Sequence, residues 1–170
     1  MRSRLKFRKL KETDLELLRQ WRMHPEVTRY LFTDPVITMD KQRQWYEEMK
    51  EKGDSFYWIV NFEDVDIGYA SIVDIDRKNQ RGDSRMYIGE LEYRGRGLGK
   101  RIMKRLEKYA FDILYLHKLY CSVLSENYIA LMTYLKNGWR IKGVLKDHIF
   151  KYDRFYDVYM IEILKKDWIK

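Results

Sequence analysis

The sequence predicts an α/β (α+β) fold in which a central mixed, mostly antiparallel sheet is flanked by helices. Three observations carry it. Strand and helix patterns alternate in the order β-α-α-β-β-β-α-β-α-β-β, which calls for one sheet covered by helices. Close to the middle, a strand pattern leads into a glycine-rich turn and then a long amphipathic helix. The 170 residues, 45% hydrophobic and 15% aromatic, suffice for one substantial core and are too apolar for a disordered tail. With only 2 Pro and 9 Gly, no repeat and no low-complexity tract, a single domain over residues 1–170 is expected.

The elements follow in order. Leu5, Lys6, Phe7 and Arg8 alternate with period two and open the sheet. Thr13-Asp14 starts a helix with Leu15, Leu17, Leu18, Trp21 and Arg22 on one face, and His24-Pro25-Glu26 stops it. A second helix begins near Thr38, carries Trp45, Tyr46 and Met49 at helical spacing, and ends at Gly53-Asp54. Residues 56–60 and 67–73 form a hairpin around a polar turn, and residues 84–88 add a strand. Residues 100–116 form one helix, with Ile102, Met103, Leu106, Tyr109, Ala110, Ile113 and Leu114 inward. A strand at 119–124 and a helix at 127–136 follow, the helix closed by Asn137-Gly138 as a left-handed cap. Two long strands, 139–150 and 155–163, end the chain.

The net charge of +8 favours anionic ligands without choosing among them, and its cations are interspersed with acids. A basic nucleic-acid-binding module is an alternative reading. No recognition-helix, RNA-binding or zinc signature supports it, so no nucleic-acid partner is expected. The single Cys121 excludes an internal disulfide and reads as a small core residue. His24, His117 and His148 are too scattered for metal ligation, so no metal is expected. The basic start MRSRLKFRKL lacks an apolar signal segment, and no run approaches the roughly 20 apolar residues that span a bilayer. A cytoplasmic protein without a membrane partner is expected.

The chemistry is concentrated at Arg94-Gly95-Arg96-Gly97-Leu98-Gly99-Lys100. A glycine-rich turn feeding a helix presents unpaired backbone N–H groups at the positive end of the helix dipole, which suits phosphate. Gly95, Gly97 and Gly99 let a ligand approach the backbone, and Arg94, Arg96, Lys100 and Arg101 add charge. A Walker loop would need Lys-Ser/Thr after the last glycine, where Lys100-Arg101 stand. A dinucleotide fold places its glycines after the first strand, and here several strands precede them.

The segment Leu91-Glu92-Tyr93-Arg94-Gly95-Arg96-Gly97-Leu98-Gly99-Lys100 resembles the first motif of the GNAT superfamily of N-acetyltransferases, Gln/Arg-x-x-Gly-x-Gly/Ala. The stretch Asn127 onward, with Ala130, Tyr134 and Gly138-Trp139, is similar to its Asn-x-x-Ala-x-x-x-Tyr-x-x-x-Gly-Phe segment, with Trp for Phe. Trp21-Arg22-Met23-His24-Pro25-Glu26-Val27 resembles the branch of ribosomal-protein-alanine, spermidine and amino-sugar-nucleotide acetyltransferases. The resemblance extends over nearly the whole chain, through residues 143–148 and Asp157.

The resemblance implies direct transfer of an acetyl group from acetyl-CoA, as cosubstrate, to a primary amine of a small molecule or peptide N-terminus. It implies a pyrophosphate cradle at the turn, with Arg94 to Lys100 around it, and a strand edge, Met86, Tyr87 and Ile88, that pairs with the pantetheine arm. It also implies Asn127 as a further coenzyme contact and Tyr134 as proton donor to the leaving thiolate. A base is less marked. Relatives often carry glutamate where Ser84 stands, which raises the alternative of a coenzyme-binding protein that has lost catalysis. Asp83 is adjacent but faces the other way, leaving Glu90, His148 and Glu26 as candidates, or a water chain with no dedicated base. The acceptor is expected over the N-terminal helices and last hairpin, near Trp21, Arg22, His24, Glu26, Tyr30 and Phe32. An amino-sugar nucleotide, a polyamine and a ribosomal-protein N-terminus remain open as acceptors, and a homodimer as the assembly. Acidic side chains lining that site would favour a polyamine, and basic ones a nucleotide.

Overall fold

The computed structural model describes residues 4–33 and 36–168, so residues 1–3 of the basic start lie outside it. Seven strands form one sheet in the order β1-β2-β3-β4-β5-β7-β6. They are β1 (Leu5–Lys9), β2 (Phe56–Phe62), β3 (Val65–Asp76), β4 (Arg81–Ile88), β5 (Lys118–Leu124), β6 (Arg140–Lys151) and β7 (Arg154–Leu164). All neighbours are antiparallel except β4 and β5, which are parallel. The parallel pair requires a crossover, and the glycine turn opens it.

One face of the sheet carries α4 (Leu98–Lys108) and α5 (Tyr128–Leu135). Leu98, Ile102, Met103 and Leu106 are buried at helical spacing and meet Trp58, Val60, Ala70 and Ile72 of the sheet. Each such side chain contributes about 1.5–3 kcal/mol on leaving water. The other face carries α1 (Leu15–Met23) and α3 (Met39–Glu51), where Leu18 and Trp21 pack on Ile59 and Tyr69. At the rim, Arg8 on β1 donates to Asp14 below α1 (2.7 and 2.8 Å) and to Asp66 on β3 (2.6 and 3.1 Å).

Two helical expectations change. His24 stops α1 with extended backbone, but Pro25 then starts a one-turn helix, α2 (Pro25–Thr28), with His24 Nδ1 capping the Glu26 N–H at 3.2 Å. Proline suits that first position because its missing N–H has no helical partner there. The predicted single helix over 100–116 begins earlier and ends at Lys108, where Tyr109–Ile113 widens into a π turn. The wider turn brings consecutive Ala110 and Phe111 into the core and turns Ile113 out to solvent. Regular 3.6-residue periodicity cannot show such a shift.

Candidate active site

The parallel strands pair only at Arg81↔Lys118, Gly82↔Leu119 and Asp83↔Tyr120. Beyond that, β4 stays with β3 to Ile88 while β5 stays with β7 to Leu124. The strands diverge into a fork whose facing edges carry backbone groups with no strand partner, a ready template for an extended ligand. Met86, Tyr87 and Ile88 lie on its β4 arm. Met86 and Ile88 turn toward α4, while Tyr87 turns to the α1 side against Trp21 and Tyr69.

The strand does not run straight into the glycines. A 3-10 turn, Leu91–Tyr93, intervenes, and Arg94 folds back to donate to Ile88 O (2.8 and 3.2 Å) and Glu26 O (2.9 Å). Its guanidinium therefore ties the end of β4 to α2. Gly95 and Gly97 have φ of +74° and +71°, the left-handed region that favours glycine. Gly97 caps α4 with no side-chain bond, so the amides of Leu98, Gly99 and Lys100 have no helical acceptor. A Cβ placed on Gly95, Gly97 or Gly99 would meet no atom within 4 Å. The space before these amides is open, and the turn fits a pyrophosphate. Arg96 stands over Tyr93 at its edge, 5.0 Å from the ring centre.

At the closed end of the fork, Tyr134 of α5 is 5% exposed. Its hydroxyl lies beside the Cys121 thiol, which also neighbours the Ser84 hydroxyl, so β4, β5 and α5 meet there. Burial holds the phenol well above its ordinary pKa and pushes the thiol up as well. A sulfur anion formed beside them would be destabilised by the same lack of water, as would the phenolate, so burial favours the neutral form of both. Trp139 meets the Tyr134 ring edge-on at 4.7 Å and donates its indole N–H to buried Glu107 at 2.7 Å. Asn127 caps α5 through Oδ1 to the Ala130 N–H (3.3 Å).

The α1/α3 side is built from side chains. Trp21 is 4% exposed, lies over Gly89, and donates to Glu90 at 2.7 Å. That bond engages one Glu90 oxygen and leaves the indole almost no free surface. Arg22 reaches Gln42 Oε1 at a weak 3.4 Å and lies near the Tyr69 and Tyr87 hydroxyls. Gln42 Nε2 and Tyr87 Oη are buried with no hydrogen-bond partner among the described residues. No described carboxylate pairs with Arg22, whereas Glu26, Asp74 and Asp83 pair with other cations. Glu26 pairs with Arg29, whose guanidinium also covers Tyr30 at 4.8 Å, and Phe32 is exposed. His148 is exposed on the edge strand β6, within a bulge between Leu145 and Ile149, and is not brought to the fork.

Sequence reasoning missed Gln42 and Glu107 and set Asp83 aside. Gln42 falls on the same helical face as Trp45, Tyr46 and Met49, and Glu107 on that of Met103 and Ala110; a polar residue on an apolar stripe was the available signal. Asp83 accepts both Arg85 bonds on Oδ2 (2.7 and 2.9 Å), and burial raises its pKa. Among the described residues no cluster could hold a metal ion, and no helix is long and apolar enough to cross a membrane.

Comparison with known proteins places this architecture. The spermidine N(1)-acetyltransferase of Escherichia coli K12 is 29% identical over 146 residues, covering 86% of this chain and 78% of that one. The acetyltransferase PseH of Campylobacter jejuni is 26% identical over 145 residues, covering 85% and 88%. The crystal structure of spermidine N-acetyltransferase from Vibrio cholerae, in complex with CoA and spermine, shares the fold with a TM-score of 0.87 at 24% identity, over 98% of both chains. The model of the acetyltransferase (GNAT) domain matches residues 4–140. On that match the chain belongs to the GNAT family of acetyltransferases, enzymes that take an acetyl group from acetyl-CoA and place it on nitrogen.

Proposed function

We propose that this acetyltransferase modifies the primary amine of a small molecule that also carries an anionic, oxygen-rich group, as an amino-sugar nucleotide does. One observation carries the choice: Arg22, unmatched by any described carboxylate, stands beside the unsatisfied donors Gln42 Nε2 and Tyr87 Oη. Buried donors without partners cost free energy that an acceptor-rich ligand would recover. A polyamine needs the reverse lining, and Asp83, Glu26, Asp74 and Glu90 each already engage at least one oxygen with Arg85, Arg29, Lys52 or Trp21. In this reading the amides after Gly97 hold the pyrophosphate, and the β4 arm and Asn127 hold the pantetheine. Acetyl-CoA supplies the thioester and a thiolate leaving group, to which Tyr134 gives its proton. The protein works in the cytoplasm as one domain. A homodimer fits the exposed apolar row Tyr128, Ile129 and Met132 on α5.

The test is thiol release from acetyl-CoA with an amino-sugar nucleotide, glucosamine 6-phosphate, spermidine and an alanine-started peptide. The anionic amines are expected to exceed spermidine at least about tenfold in kcat/KM, a modest gain for a hydrogen-bonded charge. A preference for spermidine overturns the acceptor class. Silence with every amine despite coenzyme binding would mark a protein that binds CoA without turnover. Tyr134→Phe should lower kcat about 10²-fold or more, and an unchanged rate removes Tyr134 as the acid.

A further inference from the structure

The fork separates two faces, and the residues at its closed end alternate between them. Ser84 points to the α5 side with Cys121 and Tyr134. Asp83 points to the α1/α3 side, as its register with Val73, and that of Arg85 with Ser71, requires. A thioester lying in the plane of the fork would have its sulfur served from the Tyr134 side. The amine then arrives from the opposite side, where Asp83 is the last residue of β4 paired with β5. Facing away from Ser84 therefore means facing the acceptor.

We propose that Asp83 is the catalytic base, taking a proton on Oδ1 from the acceptor ammonium at the closed end of the fork. Both Arg85 bonds fall on Oδ2, so Oδ1 has no described protein donor, and the side chain is 17% exposed and reachable. Around it stand Arg85, Asp74 with its partner Lys52, Tyr120 and Arg81, and, within electrostatic reach across the fork, Cys121 and Tyr134. Burial and Asp74 raise the carboxyl while Arg85 holds it down, a balance suited to a base rather than a permanently charged partner. Glu90 is displaced from this point by seven residues, roughly 20 Å of extended chain, and its carboxylate holds Trp21.

The step balances. Asp83 Oδ1 removes one proton from the ammonium, and the freed lone pair forms the N–C bond as the C–S bond breaks. Tyr134 protonates the departing sulfur. Of the two protons the nitrogen loses, one restores Tyr134 and the other is released.

This inference rests on the transfer reading above, and the experiment separates their failures. Wild type, Asp83→Asn and Asp83→Glu are compared across pH with the fastest acceptor of the panel, with acetyl-CoA affinity and Tm measured on each. Asp83→Asn keeps an acceptor for Arg85, and it should lower kcat/KM about 10²-fold near neutral pH with coenzyme affinity unchanged. The deficit should shrink as pH rises toward the amine's own pKa, where the free amine needs no base, and Asp83→Glu should recover part of the rate. A pH-independent deficit, a loss confined to KM, or no loss overturns the assignment. If the wild type releases no thiol with any amine, the transfer reading fails and takes this one with it.

Discussion

The two faces of the sheet meet at one fork but are built differently. On the α4/α5 face the proposed coenzyme contacts are backbone: the amides after Gly97, and the strand edges left unpaired past Asp83 and Tyr120. On the α1/α3 face the proposed acceptor contacts are side chains from Arg22, Gln42, Tyr87 and Asp83, which come from α1, α3 and β4. A backbone site depends on local conformation, so it sits in one short segment and tolerates side-chain change. A side-chain site depends on where distant elements pack, so it can be rebuilt for another acceptor without disturbing the first.

That contrast can be broken at three points. The largest effect is expected at Gly97→Val. A β-branched residue at φ +71° is strained by about 1–2 kcal/mol, and its side chain enters the open space before the amides. Acetyl-CoA affinity by calorimetry should fall about 10²-fold by strain and obstruction together, with acceptor selectivity unaltered; an unchanged affinity would separate the turn from the coenzyme.

Glu107→Ala tests whether the coenzyme face also leans on a buried side chain. It strips the Trp139 indole of its acceptor and leaves a void, at a cost of about 2–4 kcal/mol. Thermal unfolding should drop by roughly 5–10 °C, and kcat should fall as the Tyr134 ring loses its brace. A stable, fully active variant would show that Trp139 holds its place without Glu107.

Arg22→Met should give the smallest change, about tenfold in KM for an anionic amine, with kcat and coenzyme affinity near wild type. A variant that gains on spermidine while losing the anionic amine would sharpen the division most, since only the acceptor half would have moved.

Legibility follows the same division. The glycine turn and Tyr134 were readable because the family spacing holds them in two continuous segments. Arg94 was readable as a match but not as a tie, because its guanidinium turns to Ile88 and Glu26, and Glu26 lies 68 positions away. Asp83 was visible and set aside: period two gives the face correctly, and the proposal that this face receives the acceptor rests on the fork, which period two does not reveal. Phe111 escaped because a π turn resets the helical phase.

By itself the sequence determined the family, the order of the strands and longer helices, and the glycine-rich turn, since each is written in local periodicity, glycine conformation or short-range spacing. The tertiary structure alone decided that β4 and β5 part after Asp83, that Glu90 serves Trp21, and that Arg22 stands unmatched beside Gln42 and Tyr87. Those are relations between residues far apart in the chain, and only the packing of α1 and α3 on the sheet brings them together.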